Sequence, residues 1–234
     1  FGLDRTGAIL STGSASADPA QLAAGLLRRA QADGAVVYSP VEVVQAASDP
    51  DGVTLLTDAG HAVRARHVVF CCGYEFPEGV PTPGAKVIST WALATKERTP
   101  CPAWLRDTLV WEASDPYLYF RMASDGRLIV GGEDEDAPGA HEKPDKLKRK
   151  CATIREKLLR LLPDLAFEID YSWAGAFGES ATGLPSIAPV PDMDHAWAVM
   201  GFGGNGITYS VIASQVVSAA IRGRPDPDAD LYQA

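Results

Sequence analysis

Apolar residues recur at helical spacing near the start of the chain. Leu22 and Leu26 lie one turn apart on a single face. This spacing predicts a helix that begins at Asp18, a favourable N-cap residue, and ends at Gly34, a residue type common just beyond a helix. The apolar run 35–38 that follows predicts a short strand. Helix, turn and strand together make up half of a βαβ unit.

After residue 40, the pattern of apolar residues predicts strands interrupted by two helices. The run Ala65–Cys72 is apolar almost throughout, which predicts a strand buried on both faces that ends at Gly73. Amphipathic spacing predicts a helix over Asp145–Leu162. A last helix is predicted over Ile207–Ile221, closed by Gly223 and Pro225. The segment Gly79–Gly84, rich in glycine and proline, predicts a crossing between domains. Further strands are predicted at 41–47, 53–57, 61–63, 86–95, 108–112, 117–121, 127–130, 168–177, 186–190 and 197–201.

Composition and charge exclude several classes of protein. The chain is 46% hydrophobic and 22% charged, as expected for a globular protein, and no apolar run is long enough to span a bilayer. It carries 21 basic and 30 acidic side chains, a net charge of −9 at pH 7. Nonspecific nucleic-acid binding needs a basic surface. We therefore expect neither nucleic acid nor a membrane as a partner.

Cysteine and histidine spacing argue against a metal centre or a disulfide framework. The cysteines form no C-x-x-C pair, and no two histidines have the spacing of metal ligands. We expect no metal, and reduced thiols in a cytoplasmic protein. Cys71 and Cys72 are interpreted as core residues, and the charged runs Glu133–Asp136 and Lys143–Lys150 as solvated surface.

The strongest candidate site is the segment Gly201–Gly206, which connects an apolar strand to the final helix. Its four glycines let backbone amides approach a ligand closely and adopt positive φ. The following helix directs its positive end at whatever binds there, which suits an anionic or electron-rich group. A tight turn without a ligand has the same pattern. No Lys-Ser or Lys-Thr pair follows, so the segment is not a P-loop.

Weaker signals accompany this turn. A buried strand that ends in Gly73 is typical of nucleotide binding at an open α/β sheet, and equally of a plain core strand. Either Arg121 or Arg127 could hold a carboxylate, or lie at the surface. Aromatic residues are dense around the predicted small sheet, which suits an amine pocket or ordinary packing. They are Trp91, Trp111, Tyr117, Tyr119, Phe120, Trp173 and Phe177.

Four blocks of the chain stand in an order that is more specific than any one of them. The blocks are Asp18-Pro19 with its helix and Gly34-Ala35-Val36-Val37, then 65–73, then 119–132, and finally Gly183-Leu184-Pro185 through 201–206. In this order they resemble the C-terminal part of FAD-dependent amine or amino-acid oxidoreductases. The family is that of D-amino-acid oxidase, glycine oxidase and sarcosine oxidase.

The resemblance implies a fold of class α/β plus α+β. It is an incomplete FAD-binding three-layer domain with an inserted antiparallel-sheet substrate domain. Residues 1–80 and 181–234 would belong to the FAD-binding domain, and residues 81–180 would form the substrate domain.

The resemblance also implies FAD as the cofactor. The cysteine that tethers flavin in sarcosine oxidases has no counterpart around 186–190, so FAD would be held noncovalently. Val41 would meet the adenine side through its backbone, and Cys72 and Gly73 would lie near the ribose and pyrophosphate. A helix N-terminus beside the ring would stabilise the anionic reduced flavin. The residues implied at the ring are Gly203, Gly204, Asn205, Gly206, Ile207 and Thr208.

The implied reaction is oxidation of an amine or amino-acid derivative by hydride transfer to flavin, with no catalytic side chain of the protein. Glycine oxidases carry an arginine at Phe177, and sarcosine oxidases a lysine near Thr208, so two carboxylate anchors are replaced here. These departures favour an amine or a larger derivative, with Arg121 as the remaining carboxylate candidate. Ile129 stands where sarcosine oxidases carry the oxygen-activating lysine, which leaves the electron acceptor open. The implied substrate-binding residues are Tyr119, Arg121, Trp173 and Phe177.

The glycine fingerprint Gly-x-Gly-x-x-Gly of the family's first βαβ unit does not occur at the start of this sequence. We expect a truncated or proteolysed product, or one subunit of a split oxidase, that binds FAD poorly and is inactive alone. Its partner would be the missing N-terminal segment or another subunit, and exposed apolar surface would favour a homodimer. The alternative is a noncatalytic module that binds a small molecule or a protein.

Overall fold

The computed structural model describes residues 3, 5–73, 75–78, 80, 86–224 and 226–233. Its three α-helices are α1 (Pro19–Ala32), α2 (Pro144–Leu161) and α3 (Gly206–Ile221). Its strands are β1 (Val43–Asp49), β2 (Gly52–Thr57), β3 (Ala62–Ala65), β4 (Val68–Phe70), β5 (Lys86–Thr95), β6 (Val110–Trp111), β7 (Leu118–Met122), β8 (Leu128–Glu135), β9 (Ile169–Glu179), β10 (Ser186–Pro189) and β11 (Ala196–Met200). The mixture of helices and several sheets confirms the predicted fold class. The predicted domain crossing 79–84, except residue 80, lies outside the described residues.

The chain divides into two compact units. One contains residues 1–16 and 87–176, and the other contains residues 17–86 and 177–234. The roles of the units, substrate binding and FAD binding, stay a prediction.

The first unit is a five-stranded sheet with a helix on one face. The strand order is β6-β7-β8-β5-β9, and β7 and β5 both pair with β8 in antiparallel fashion. Helix α2 covers one face because its apolar residues form one stripe, in which Ile154 and Leu158 are fully buried. Pro144 in the first turn and Arg160 in the last turn suit the two ends of this helix. The core between sheet and helix contains Trp91, Leu93, Leu118, Phe120, Leu128, Val130, Cys151, Ile154, Leu158 and Leu161.

The second unit contains two three-stranded sheets. Strands β1, β2 and β3 form an antiparallel meander, whose first turn closes where Asp49 pairs with Gly52. Gly52 has φ +147°, and a Cβ there would overlap the carbonyl oxygen of Ala65. In the other sheet, β11 lies between an antiparallel β10 and a parallel β4. Helix α3 contributes Ala213, Val216 and Val217 to the core beside that sheet.

Helix α1 forms as predicted, but the strand predicted after it does not. The carboxylate of Asp18 accepts hydrogen bonds from the backbone amides of Ala20 and Gln21, which caps the helix. Val36 and its neighbours over 35–38 belong to none of the described strands, because no described strand pairs with them. Leu26 is 63% exposed and Val36 71% exposed, so this apolar surface is uncovered within the described residues.

The predicted core strand 65–72 is shorter than expected. Strand β4 ends at Phe70, and both Cys71 and Cys72 beyond it are exposed. The interpretation of these two cysteines as core residues is therefore wrong, because the parallel pairing with β11 stops at Phe70.

Candidate functional site

Two of the sequence signals meet at one edge of a sheet. Strands β4 and β11 run parallel, with Val68 beside Ala196 and Phe70 beside Ala198. Their carboxyl ends therefore point the same way, and both chains leave the sheet at the same edge. Gly73 follows β4 there. In open α/β sheets, ligands bind outside the carboxyl ends of the strands.

The glycine-rich turn after β11 provides a backbone surface at this edge. Gly201 and Gly203 have φ +74° and +52°, values that favour glycine. The Gly203 amide donates to the carbonyl oxygen of Gly178 at 2.8 Å, which fixes the turn against the end of β9. A Cβ added at Gly203 or Gly204 would meet no heavy atom of the described chain within 4 Å. The approach to this backbone is therefore open.

Helix α3 begins directly at this turn with its positive end uncompensated. Asn205 occupies the N-cap position, but its side chain makes no capping hydrogen bond to any described residue. The first turn contains no acidic side chain. The free amides and the helix dipole therefore favour an anionic or hydrogen-bond-accepting group at this end. Asn205, Gly206, Ile207 and Thr208 surround the helix start.

The structure thus brings most of the predicted cofactor residues to one edge. Cys72 and Gly73 follow β4, and the residues 203–208 follow β11. Val41 lies elsewhere in this unit, before β1 of the meander sheet, with its side chain 51% exposed. Its predicted contact with the adenine side stays a prediction.

The second candidate surface is the face of the five-stranded sheet opposite α2, here called the open face. Leu118 and Phe120 point into the core with α2, so alternation along β7 places Tyr119 and Arg121 on the open face. In β9, Ala174 packs against the same core, which places Trp173 on the open face as well.

Tyr119 lies across the neighbouring strand at this face. It pairs with Gly131, where a Cβ would overlap the tyrosine ring and hydroxyl. A side chain at residue 131 would therefore have to displace the Tyr119 ring. Burial raises the pKa of Tyr119, the negative charge of Asp134 raises it further, and a hydrogen bond with Thr90 opposes both.

Asp134 is a charged residue of the open face that sequence reasoning missed. The Tyr117 hydroxyl donates to Asp134 Oδ2 at 2.7 Å. Asp134 Oδ1 is buried and has no hydrogen-bond partner among the described residues. The strand period could have revealed this residue, because Glu133 and Glu135 point to the opposite face, where they pair with lysines of α2.

The sequence suggested that the charged runs 133–136 and 143–150 are solvated surface. This interpretation is wrong for part of each run. Glu133 is 5% exposed and pairs with Lys150 and Lys157. The Lys150 ammonium lies 2.8 Å from Glu135 and 4.8 Å from the ring centroid of Trp91. This network couples α2 to the end of β8, because a buried carboxylate requires charged partners.

The two arginines proposed as carboxylate anchors have different surroundings. Arg127 pairs with Asp125, Glu97 and Asp170, and these carboxylates raise its pKa. Arg127 therefore links neighbouring segments of the sheet, and its guanidinium is not available to bind a substrate carboxylate. Arg121 lies on the open face. Its Nη1 donates to the carbonyl oxygen of Met122, at a distance of 3.4 Å.

The aromatic residues do not form one pocket. Trp91 and Phe120 are buried in the core beneath the sheet, whereas Trp111 is 68% exposed. Tyr119 and Trp173 lie on the open face, as described above. Phe177 belongs to the second unit, at the end of β9.

The described residues contain no group of three or more His, Cys, Asp or Glu side chains placed to hold a metal ion. None of the described helices has the length and apolar character needed to cross a bilayer.

An uncapped helix start at the carboxyl edge of a sheet suits an electron-rich or anionic group, such as part of a nucleotide. The family FAD dependent oxidoreductase (DAO) matches residues 2–220. The chain therefore belongs to the DAO family of FAD-dependent oxidoreductases.

Individual relatives agree with this assignment. The chain is 27% identical over 202 residues to Probable oxidoreductase OrdL from Rhizobium meliloti (strain 1021), which covers 85% of this chain and 45% of that protein. The chain thus spans about half the length of the curated relative it matches. Among solved structures it resembles L-proline dehydrogenase from P. horikoshii (TM-score 0.77, 16% identity, covering 92% of this chain and 59% of the other). It also resembles glycine oxidase from Geobacillus kaustophilus (TM-score 0.69, 23% identity, 88% and 54%).

The residues present fit the FAD that this family uses. The uncompensated start of α3 suits the electron-accepting ring. The open backbone at Gly203 and Gly204 leaves room for a flat group to approach.

Proposed function

We propose that this chain forms the C-terminal part of an enzyme that oxidises an amine or an amino-acid derivative. The observation that carries the proposal is the shared carboxyl edge of β4 and β11, from which the uncapped start of α3 projects. Glycine and L-proline, in the names of two solved relatives, are both amino acids whose nitrogen adjoins an oxidisable carbon.

The second unit holds the cofactor noncovalently in this proposal. Cys72 and Gly73 would lie near the ribose and pyrophosphate. Residues 203–208 would lie at the ring, and the amides of 206–208 at the start of α3 would face it. When bound, FAD supplies the acceptor for the hydride of the substrate. The protein needs no nucleophile, so its own contribution is to bind, orient and stabilise charge.

The first unit binds the substrate on its open face. Tyr119 and Trp173 offer aromatic faces to an amine or its alkyl group. Arg121 provides the guanidinium for a carboxylate, if the substrate carries one. Phe177 belongs to the second unit, and its contact with the substrate stays a prediction. This set favours an amine or a large amino-acid derivative over glycine itself.

A further polypeptide completes the FAD-binding part. The exposed apolar face of α1, with Leu26 and Leu27 63% and 52% exposed, and the uncovered residues 35–38 support this proposal. Surface of this kind is a site for association. The occupant we propose carries the glycine fingerprint, either in the same protein or in a partner subunit.

The flavin absorbance spectrum of the chain, with and without a polypeptide that carries the glycine fingerprint, tests the proposed function. The proposal predicts flavin retained by the pair and bleached by an amine under anaerobic conditions. The chain alone should bind FAD poorly. If neither sample retains flavin, the chain is instead a noncatalytic binding module.

Gly204→Val sharpens this experiment. The new side chain enters the open space at the turn, and its φ needs no glycine, so the fold should tolerate it. We expect flavin affinity to fall at least tenfold, about 1.4 kcal/mol, because the ring loses its approach. Gly7→Val, also in open space within the other unit, is the matched control.

A further inference from the structure

Asp134 occupies an unusual position on the open face. Its oxygen Oδ1 is buried without a hydrogen-bond partner among the described residues, and Oδ2 accepts from the Tyr117 hydroxyl at 2.7 Å. The hydroxyl of the half-buried Tyr117 therefore connects this carboxylate to the open face. The ring of Tyr119 lies 6.1 Å from that of Tyr117, so the two tyrosines form a common surface.

Within the described part of the chain, Asp134 accepts one hydrogen bond, from Tyr117, and forms no ion pair. Tyr117 lies just before β7, Tyr119 lies within it, and β5 contributes the neutral Thr90, which hydrogen-bonds Tyr119. On its own strand, Glu133 and Glu135 point to the opposite face and pair with lysines there. A carboxylate oxygen withdrawn from water without a donor is unfavourable, and a proton or a cationic ligand relieves this cost.

The proposed reaction needs a proton acceptor at this surface. An alkylamine has a pKa of about 10, so it reaches the protein as an ammonium ion. An ammonium nitrogen has no lone pair to support departure of hydride from the adjacent carbon. The proton must therefore leave before oxidation begins.

We propose that Asp134 is the final acceptor of this proton and that Tyr117 relays it. An N–H bond of the ammonium breaks as its proton bonds to the Tyr117 oxygen, and the original Tyr117 hydroxyl proton transfers to Asp134 Oδ2. The products are a neutral amine, an unchanged tyrosine and a protonated carboxyl group, so charge and atoms balance. This role rests on the proposed amine oxidation and adds the group that prepares the substrate.

The pH dependence of flavin reduction in the flavin-loaded assembly tests this role. Removing a positioned proton acceptor costs about 10²–10⁴-fold at neutral pH, so we expect a loss of that size in Asp134→Asn. The deficit should shrink about tenfold per pH unit as the pH rises, because the neutral amine is then supplied by solution. Tyr117→Phe should show the same pH dependence. Asp107→Asn, an exposed carboxylate of the same unit, should behave as wild type.

A second readout does not depend on turnover. Infrared difference spectra should show a protonated carboxyl group when a primary amine without an α C–H bond binds, and Asp134→Asn should abolish the band. An unchanged pH profile in both variants, or a band that persists in Asp134→Asn, overturns the assignment. A wild-type assembly that no amine reduces refutes the proposed function instead, while the infrared experiment still decides the role of Asp134.

Discussion

The adjacent glycines Gly131 and Gly132 of β8 differ in what an added side chain would contact. Gly132 has φ +136°, and a Cβ there would overlap the carbonyl oxygen of Tyr117, which is fixed by the sheet. At Gly131 the overlap is with the ring of Tyr119, which can turn away. We predict that Gly132→Ala lowers the free energy of unfolding by about 2–3 kcal/mol and Gly131→Ala by about 1 kcal/mol or less. Urea denaturation measures both, and equal losses would contradict this account.

The exposed ion pair between Asp49 and Arg64 makes the stability of the meander sheet depend on pH in the acidic range. Hydrogen bonds from the Arg64 guanidinium, then from the Asp51 amide, lower the pKa of Asp49 from 3.8 to about 2. The lowered pKa in the folded state means that the stabilisation is present above pH 3.8 and is lost as the pH falls through 2. Unfolding measured between these pH values should therefore depend less on pH in Asp49→Asn than in wild type. An identical slope would refute the assignment.

Single residues also mark the limit of what the sequence predicts. The role of the glycines in 201–206 could be predicted from the sequence because it is local. They form a turn that needs positive φ just before a helix. The choice between Arg121 and Arg127 could not be made from the sequence, because it depends on three carboxylates around Arg127, two of which come from distant segments. Asp134 could not be singled out because it lies in an acidic run whose two glutamates, Glu133 and Glu135, pair with lysines of α2.

At the scale of elements, α2 shows how one apolar stripe supports a whole sheet. Leu158 is fully buried in the core of the first unit. Leu158→Ala should destabilise the protein by about 2–5 kcal/mol, because it removes apolar contacts and leaves a cavity. Lys148→Ala, at an exposed position of the same helix, should change the unfolding free energy by less than about 0.5 kcal/mol. Similar losses for both would show that the stripe does not determine stability.

The three α-helices were predictable to within one or two residues because each has end signals in its own sequence, and α1 and α2 also carry an apolar period. Strands depend on neighbours, and the pattern at 35–38 could not reveal that no described strand pairs with it. The same dependence explains why Cys71 and Cys72 were misplaced. Their apolar run continues beyond the point where β11 stops pairing with β4.

At the scale of the whole molecule, the uncovered apolar surface should govern behaviour in solution. Leu26, Val36 and Tyr38 are all more than half exposed. We predict that light scattering at rising concentration shows dimers or larger species, because association buries this surface. Leu26→Glu should shift the protein toward the monomer. A monodisperse wild-type monomer at high concentration would contradict the prediction.

The central claim is that backbone amides at the start of α3, beside the end of β4, hold the electron-accepting ring of FAD. Amide hydrogen exchange of the assembly, with and without FAD, tests it most directly. The account predicts slower exchange on FAD binding at 203–208 and at Cys72 and Gly73. Protection confined to other segments, with exchange unchanged at 203–208, would contradict it.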